Sequence, residues 1–111
     1  MRLVLLALAF AGCTVPLETQ QPPTSDGCRL AVVRGTVVLD PQVGVGLRDA
    51  RGVVHRVVWP FGYSATRDFA GVVLIDRTGQ MVAREGDQIA TAGFTSDDGI
   101  AHPCGLVEVV R

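Results

Sequence analysis

Gly44-Val45-Gly46-Leu47-Arg48-Asp49-Ala50-Arg51-Gly52 returns later in the chain as Gly71-Val72-Val73-Leu74-Ile75-Asp76-Arg77-Thr78-Gly79, keeping the frame Gly-Val-x-Leu-x-Asp-x-x-Gly. Each copy reads as a strand entering a tight turn, where the aspartate bonds backbone N–H groups ahead of it and the glycine takes a positive φ. Each is followed by another β-favouring stretch, Val53 to Trp59 and Gln80 to Arg84, so two hairpins are predicted. Asp49 and Asp76 are accordingly assigned to turns. As calcium ligands they would lack the closely spaced oxygens of a dedicated loop.

Outward from the repeat, valine-rich strands continue. Leu30 to Leu39 predicts a long strand with a bulge or bend at Gly35, ended by Asp40-Pro41. Glu85-Gly86-Asp87 turns into a strand from Gln88 to Ala92, Gly93 to Cys104 reads as a loop, and Leu106 to Val110 closes the chain. Thirteen glycines in 111 residues leave no uninterrupted run for a helix beyond Asp40. The fold class is therefore all-β, a small barrel or sandwich of five to seven strands. A long first strand, hairpins and a return strand together resemble the oligonucleotide/oligosaccharide-binding architecture, which implies an OB-like barrel. The turn from Ala83 to Asp87 is similar to those of biotinyl/lipoyl domains. Those carry a modified lysine, and this chain has no lysine.

The other end of the chain carries an address. Arg2 supplies a positive start, Leu3 to Ala11 are apolar, and small residues precede Cys13, which is the order of a secretory signal. Nine apolar residues fall short of the roughly 20 that span a bilayer. Ala11-Gly12-Cys13 resembles the lipobox of bacterial lipoproteins, departing from it at Phe10, where that family prefers leucine or another aliphatic residue. The resemblance implies cleavage before Cys13 and a diacylglycerol on its thiol. Ala9-Phe10-Ala11 also satisfies the small-x-small rule, so cleavage after Ala11 with no lipid is the rival.

Cysteine parity bears on that choice. The chain has three cysteines, Cys13, Cys28 and Cys104. Lipidating the first leaves Cys28 and Cys104 to form a disulfide, worth about 4 kcal/mol by the loop-entropy model. Buried free thiols are the other possibility. Thr14 to Gly27 is polar and proline-rich and predicts a flexible tether, reaching on the order of 20 Å. The expected organisation is a signal peptide at 1–12, a lipid-anchored tether at 13–27 and a β-barrel-like domain at 28–111.

Function is less legible. Ten basic and eleven acidic residues are interspersed and give a net charge of −1, which argues against nucleic acid. Trp59, Phe61 and Tyr63 gather three of the five aromatic residues beyond Cys13 at one turn, a candidate binding patch whose rings would stack on a sugar or a partner side chain. The alternative is that Trp59 and Phe61 plug the barrel while Tyr63 bonds back to the chain. His55 with Ser64, and Asp97-Asp98 with His102, are the groups from which a hydrolytic or metal site could be assembled. Neither has motif spacing, so no catalytic residue, metal or cofactor is expected. The expectation is a non-enzymatic binding or structural module of the bacterial cell envelope, lipid-anchored on the extracytoplasmic side, with an envelope protein or small ligand as partner. A secreted unlipidated binding domain is the alternative, followed by an envelope hydrolase or metal-binding protein.

Overall fold

The computed structural model describes residues 14–20, 31–105 and 107–110. The signal peptide, Cys13, Cys28 and residues 21–27 of the expected tether lie outside them. The described residues form strands and turns without a helix. Three strands near the start are β1 (Thr14–Val15), β2 (Val32–Asp40) and β3 (Gly44–Arg48). Then come β4 (Val54–His55), β5 (Ser64–Asp68), β6 (Gly71–Ile75) and β7 (Met81–Arg84). The last three are β8 (Gln88–Thr95), β9 (Ala101–Pro103) and β10 (Glu108–Val109). The tally exceeds the predicted five to seven because β1, β4 and β10 are two-residue pieces.

Two antiparallel sheets result. One has the order β1-β5-β6-β7, and the other has the order β10-β8-β2-β3-β4 with β9 also on β8. The predicted repeat supplies an interior strand to each, since β3 lies between β2 and β4, and β6 between β5 and β7. Val45 and Val72, and Leu47 and Leu74, occupy equivalent buried positions around the fully buried Trp59. All-β sandwich or barrel-like packing is thus the fold.

Long-range backbone bonds join the pieces at their corners. Beyond β4, Val57 bridges Ala101 of β9, with Val58 N–H donating to the Ala101 carbonyl and Ala101 N–H to that of Arg56, each at 2.9 Å. This closes a circuit from β8 through β2, β3, β4 and β9 back to β8. At another corner, Val37 N–H donates to the Asp87 carbonyl and Gly86 N–H to that of Val37, while Glu85 N–H reaches Val72. The turn from β7 to β8 therefore ties both sheets together.

Two expectations are corrected. Gly35 is not a bulge: it pairs in register with Ile89 of β8, and the ladder to β3 begins at the next residue, Thr36. A Cβ there would lie 2.9 Å from Leu47 Cβ and 3.1 Å from the Arg48 carbonyl oxygen, so glycine permits a close approach of strands. The register shift falls at Leu74/Ile75 instead. Nor are residues 14–20 a tether. Thr14 and Val15 pair with Thr66 and Ala65, Trp59 N–H donates to the Glu18 carbonyl, and Gln20 N–H donates to that of Trp59. Val15 and Leu17 supply apolar contacts to the core, and Gln20 Nε2 donates to the Pro103 carbonyl at 2.7 Å. Composition suggested solvation; the open edge of β5 and the backbone groups of Trp59 supply hydrogen-bond partners that override it.

Candidate functional site

The aromatic turn divides among three environments. Trp59 is 0 % exposed and its Nε1–H donates to the Val45 carbonyl at 3.0 Å, so the indole is core and not surface. Tyr63 is half-buried, and its hydroxyl takes a hydrogen bond from the Val107 backbone. Burial first, then the Asp76 charge, raises its pKa above 10. Phe61 alone turns outward, at 40 % exposure. Trp59, Phe61 and Tyr63 therefore do not form one binding face.

The histidines gather at the turns. Asp49 Oδ1 accepts the N–H groups of Arg51 and Val53 at 2.9 and 3.0 Å, and its Oδ2 meets His55 Nε2 at 2.7 Å. His55 Nδ1 lies 3.1 Å from the Gly99 carbonyl oxygen, across from the next hairpin. Ser64, in β5 of the smaller sheet, is not among the partners of His55. On the neighbouring turn Ser96 Oγ donates to Asp98, while His102 Nε2 stands 3.4 Å from the same oxygen. A nucleophilic serine would donate its hydroxyl hydrogen to the imidazole, whereas here the hydroxyl donates to the Asp98 carboxylate. Arg56 closes the corner with a bidentate pair to Glu18 at 2.6 Å, which holds that carboxyl below its usual range. Among the described residues no three His, Cys, Asp or Glu side chains converge to hold a metal. The polar corner is a set of braces between hairpins.

Sequence reasoning missed a third copy of the turn. Ser96 N–H donates to Ile100 and Gly99 N–H to Ser96, just as Asp49 does with Val53 and Gly52, and Asp76 with Gln80 and Gly79. Gly52, Gly79 and Gly99 share φ values of 89, 88 and 84°. The first and third copies agree further, in the frame Gly46-x-x-Asp49-x-x-Gly52-x-x-His55 against Gly93-x-x-Ser96-x-x-Gly99-x-x-His102. That signal was present, hidden by serine in the aspartate position.

A groove of about 410 Å³ lies across the outer face of β8, β2 and β3. Arg34, Thr36, Arg48, Gln88 and Val110 are among its walls, with Asp49 at one end. Its volume falls in the range of small-molecule sites, roughly 300–1,000 Å³. Thr36 is paired with Arg48 on one side and Gln88 on the other. Arg34 is two residues from Thr36 on the same face, which puts the two arginine backbones about 7–8 Å apart on the diagonal. Neither arginine has an acidic partner among the described residues, in contrast to Arg56 and Arg84. Asp49 is hydrogen-bonded to His55 at the end of the groove, which presents two guanidinium groups without a carboxylate partner among the described residues.

Cys104 is exposed, its Sγ 3.7 Å from the Ala92 carbonyl oxygen; the expected partner Cys28 is outside the described residues. The fold and site together define a small all-β domain with a cationic groove. Comparison with protein-family models, curated proteins and solved structures gave no match.

Proposed function

We propose that this chain is a lipoprotein of the bacterial cell envelope whose β-domain is a non-enzymatic binding module for an oxyanion-bearing ligand. The observation that carries the binding half is the pair Arg34 and Arg48, facing one groove without acidic partners. Guanidinium forks match phosphate and carboxylate oxygens, and two charges match a dianionic phosphate monoester better than a single carboxylate. Thr36 and Gln88 add neutral hydrogen-bonding groups between them, and Val110 an apolar wall. Support for the envelope half is the signal-like order of Arg2 to Cys13 and the even cysteine pair left over, which we assign to a Cys28–Cys104 disulfide. The same braces that hold Asp49, His55, Ser96 and Asp98 in turn geometry favour a module over a hydrolase.

Calorimetric titration of the full chain with glycerol 3-phosphate tests the groove. Binding should be saturable, weaken with added salt, and drop at least about tenfold in Arg34→Gln/Arg48→Gln, as expected for losing charge-assisted bonds. Arg67→Gln, an exposed arginine on β5, should leave it unchanged. Glu108 stands opposite Ala90, which is opposite Arg34, so Glu108→Gln should tighten binding. Equal affinity in the wild type and the double variant would overturn the assignment.

A further inference from the structure

Phe69 stands at the tip of the β5–β6 hairpin and is 103 % exposed. Its turn is braced. Asp68 and Gly71 are paired, Asp68 Oδ1 accepts the Ala70 N–H at 2.9 Å, and Arg84 holds Asp68 Oδ2 at 2.9 Å. Gly71 takes φ of 119°, and a Cβ there would meet Glu85 at 2.7 Å, so the hairpin end has little freedom. A large apolar ring is thus fixed in water by a rigid support, an arrangement that gains free energy only when something covers the ring.

The register of β1 points to the cover. Thr14 is opposite Thr66 and Val15 opposite Ala65 in an antiparallel pair, so Thr14 is the residue of β1 nearer to Arg67 and the hairpin tip. Cys13 is one peptide bond from Thr14, about 3.8 Å between Cα atoms. Thr66 is three residues from Phe69, about 10 Å of extended strand. Phe61 and Met81 lie at the opposite end of this sheet, where β5 begins and β6 ends. The exposed ring therefore shares its end of the sheet with the attachment point of the acyl chains.

We propose that Phe69 is a membrane-interface anchor that enters the bilayer beside the lipid on Cys13; this rests on the lipidation reading above. A single attachment at Cys13 would leave the domain free to pivot, whereas a second contact fixes its orientation on the membrane. Charges near the tip are mixed. Asp68 and Arg84 form an ion pair, and Arg67 and Glu85 carry one charge of each sign, so the tip has no net charge and insertion does not select anionic lipid.

The test uses the full chain matured in a lipoprotein-processing host, with Phe69→Trp, reconstituted into phosphatidylcholine or phosphatidylglycerol vesicles. The new tryptophan should shift to the blue and be quenched by brominated acyl chains, alike in both lipids, while buried Trp59 in the wild type is not quenched. An unshifted, unquenched signal from a chain whose intact mass shows lipid on Cys13 would overturn the role of Phe69 and leave lipidation standing. A chain without lipid mass overturns both. Self-association without vesicles that Phe69→Ser abolishes, together with absence of quenching, assigns the ring to a second copy and overturns the membrane contact.

Discussion

His55 holds Asp49 Oδ2 at 2.7 Å through Nε2 and the Gly99 carbonyl oxygen at 3.1 Å through Nδ1, so one imidazole ties two hairpin turns together. Two acceptors call for two N–H donors, and the arrangement favours the imidazolium. The Asp49 bond is the main cause raising the His55 pKa above 6.5, with burial opposing it and the Gly99 bond adding to it.

Stability should follow that proton. The raised folded value means that the His55 contribution is complete below pH 6.5, the ordinary histidine value, and is lost as pH rises through the higher folded value. Asp49 is held below 3.8, first by His55 and then by the Val53 N–H, so its contribution is present above pH 3.8 and lost as pH falls through its lower folded value. The Tm difference between the wild type and His55→Gln should be largest between these limits and shrink as pH rises through the higher folded value of His55. A difference that stays constant from about pH 5 to about pH 9 would contradict the imidazolium clamp.

Gly93 should tolerate alanine less well than Gly99. At Gly93 a Cβ would sit 2.5 Å from the His102 carbonyl oxygen and 2.8 Å from Pro103 Cα, both backbone atoms of the paired strand. Forcing the strands apart should cost about 1–3 kcal/mol, the usual overpacking range. Gly99 has φ of 84° but a Cβ there would come no nearer than 4.0 Å, to His55 Nδ1, so alanine there meets only conformational strain of about 1–2 kcal/mol. Urea unfolding of the two variants gives the order; equal midpoints would contradict the close strand approach.

Trp59 and Phe61 should separate cleanly. Trp59→Ala removes a fully buried ring and leaves the Val45 carbonyl without its donor, at a cost of about 3–5 kcal/mol. Phe61→Ala, half in solvent, should change stability by less than about 1 kcal/mol and leave ligand binding in the groove untouched. Thermal unfolding and the same titration measure both. Lost binding in Phe61→Ala would return the aromatic turn to the functional surface.

The parts legible in the sequence were those written locally. Asp49-Ala50-Arg51-Gly52 and Asp76-Arg77-Thr78-Gly79 specify their turns through bonds spanning two to four residues, and the valine-rich flanks specify strands. Register between distant segments was not legible. Nothing near Val57 announces Ala101, and nothing near Glu18 announces Trp59 and Arg56, so closure and the docking of residues 14–20 had no local signal. The groove depends on Arg34, Arg48 and Gln88 standing on three neighbouring strands. Interspersed in sequence, those charges read as a solvated surface, and only the pairing of β2 with β3 and β8 puts them together.

The most direct measurement is the intact mass of the protein recovered separately from membranes and from the medium. A membrane-bound chain beginning at Cys13 with added diacylglycerol mass is the expected result. A chain beginning at Gly12 in the medium, without lipid, would contradict the envelope lipoprotein and the membrane role of Phe69 that depends on it.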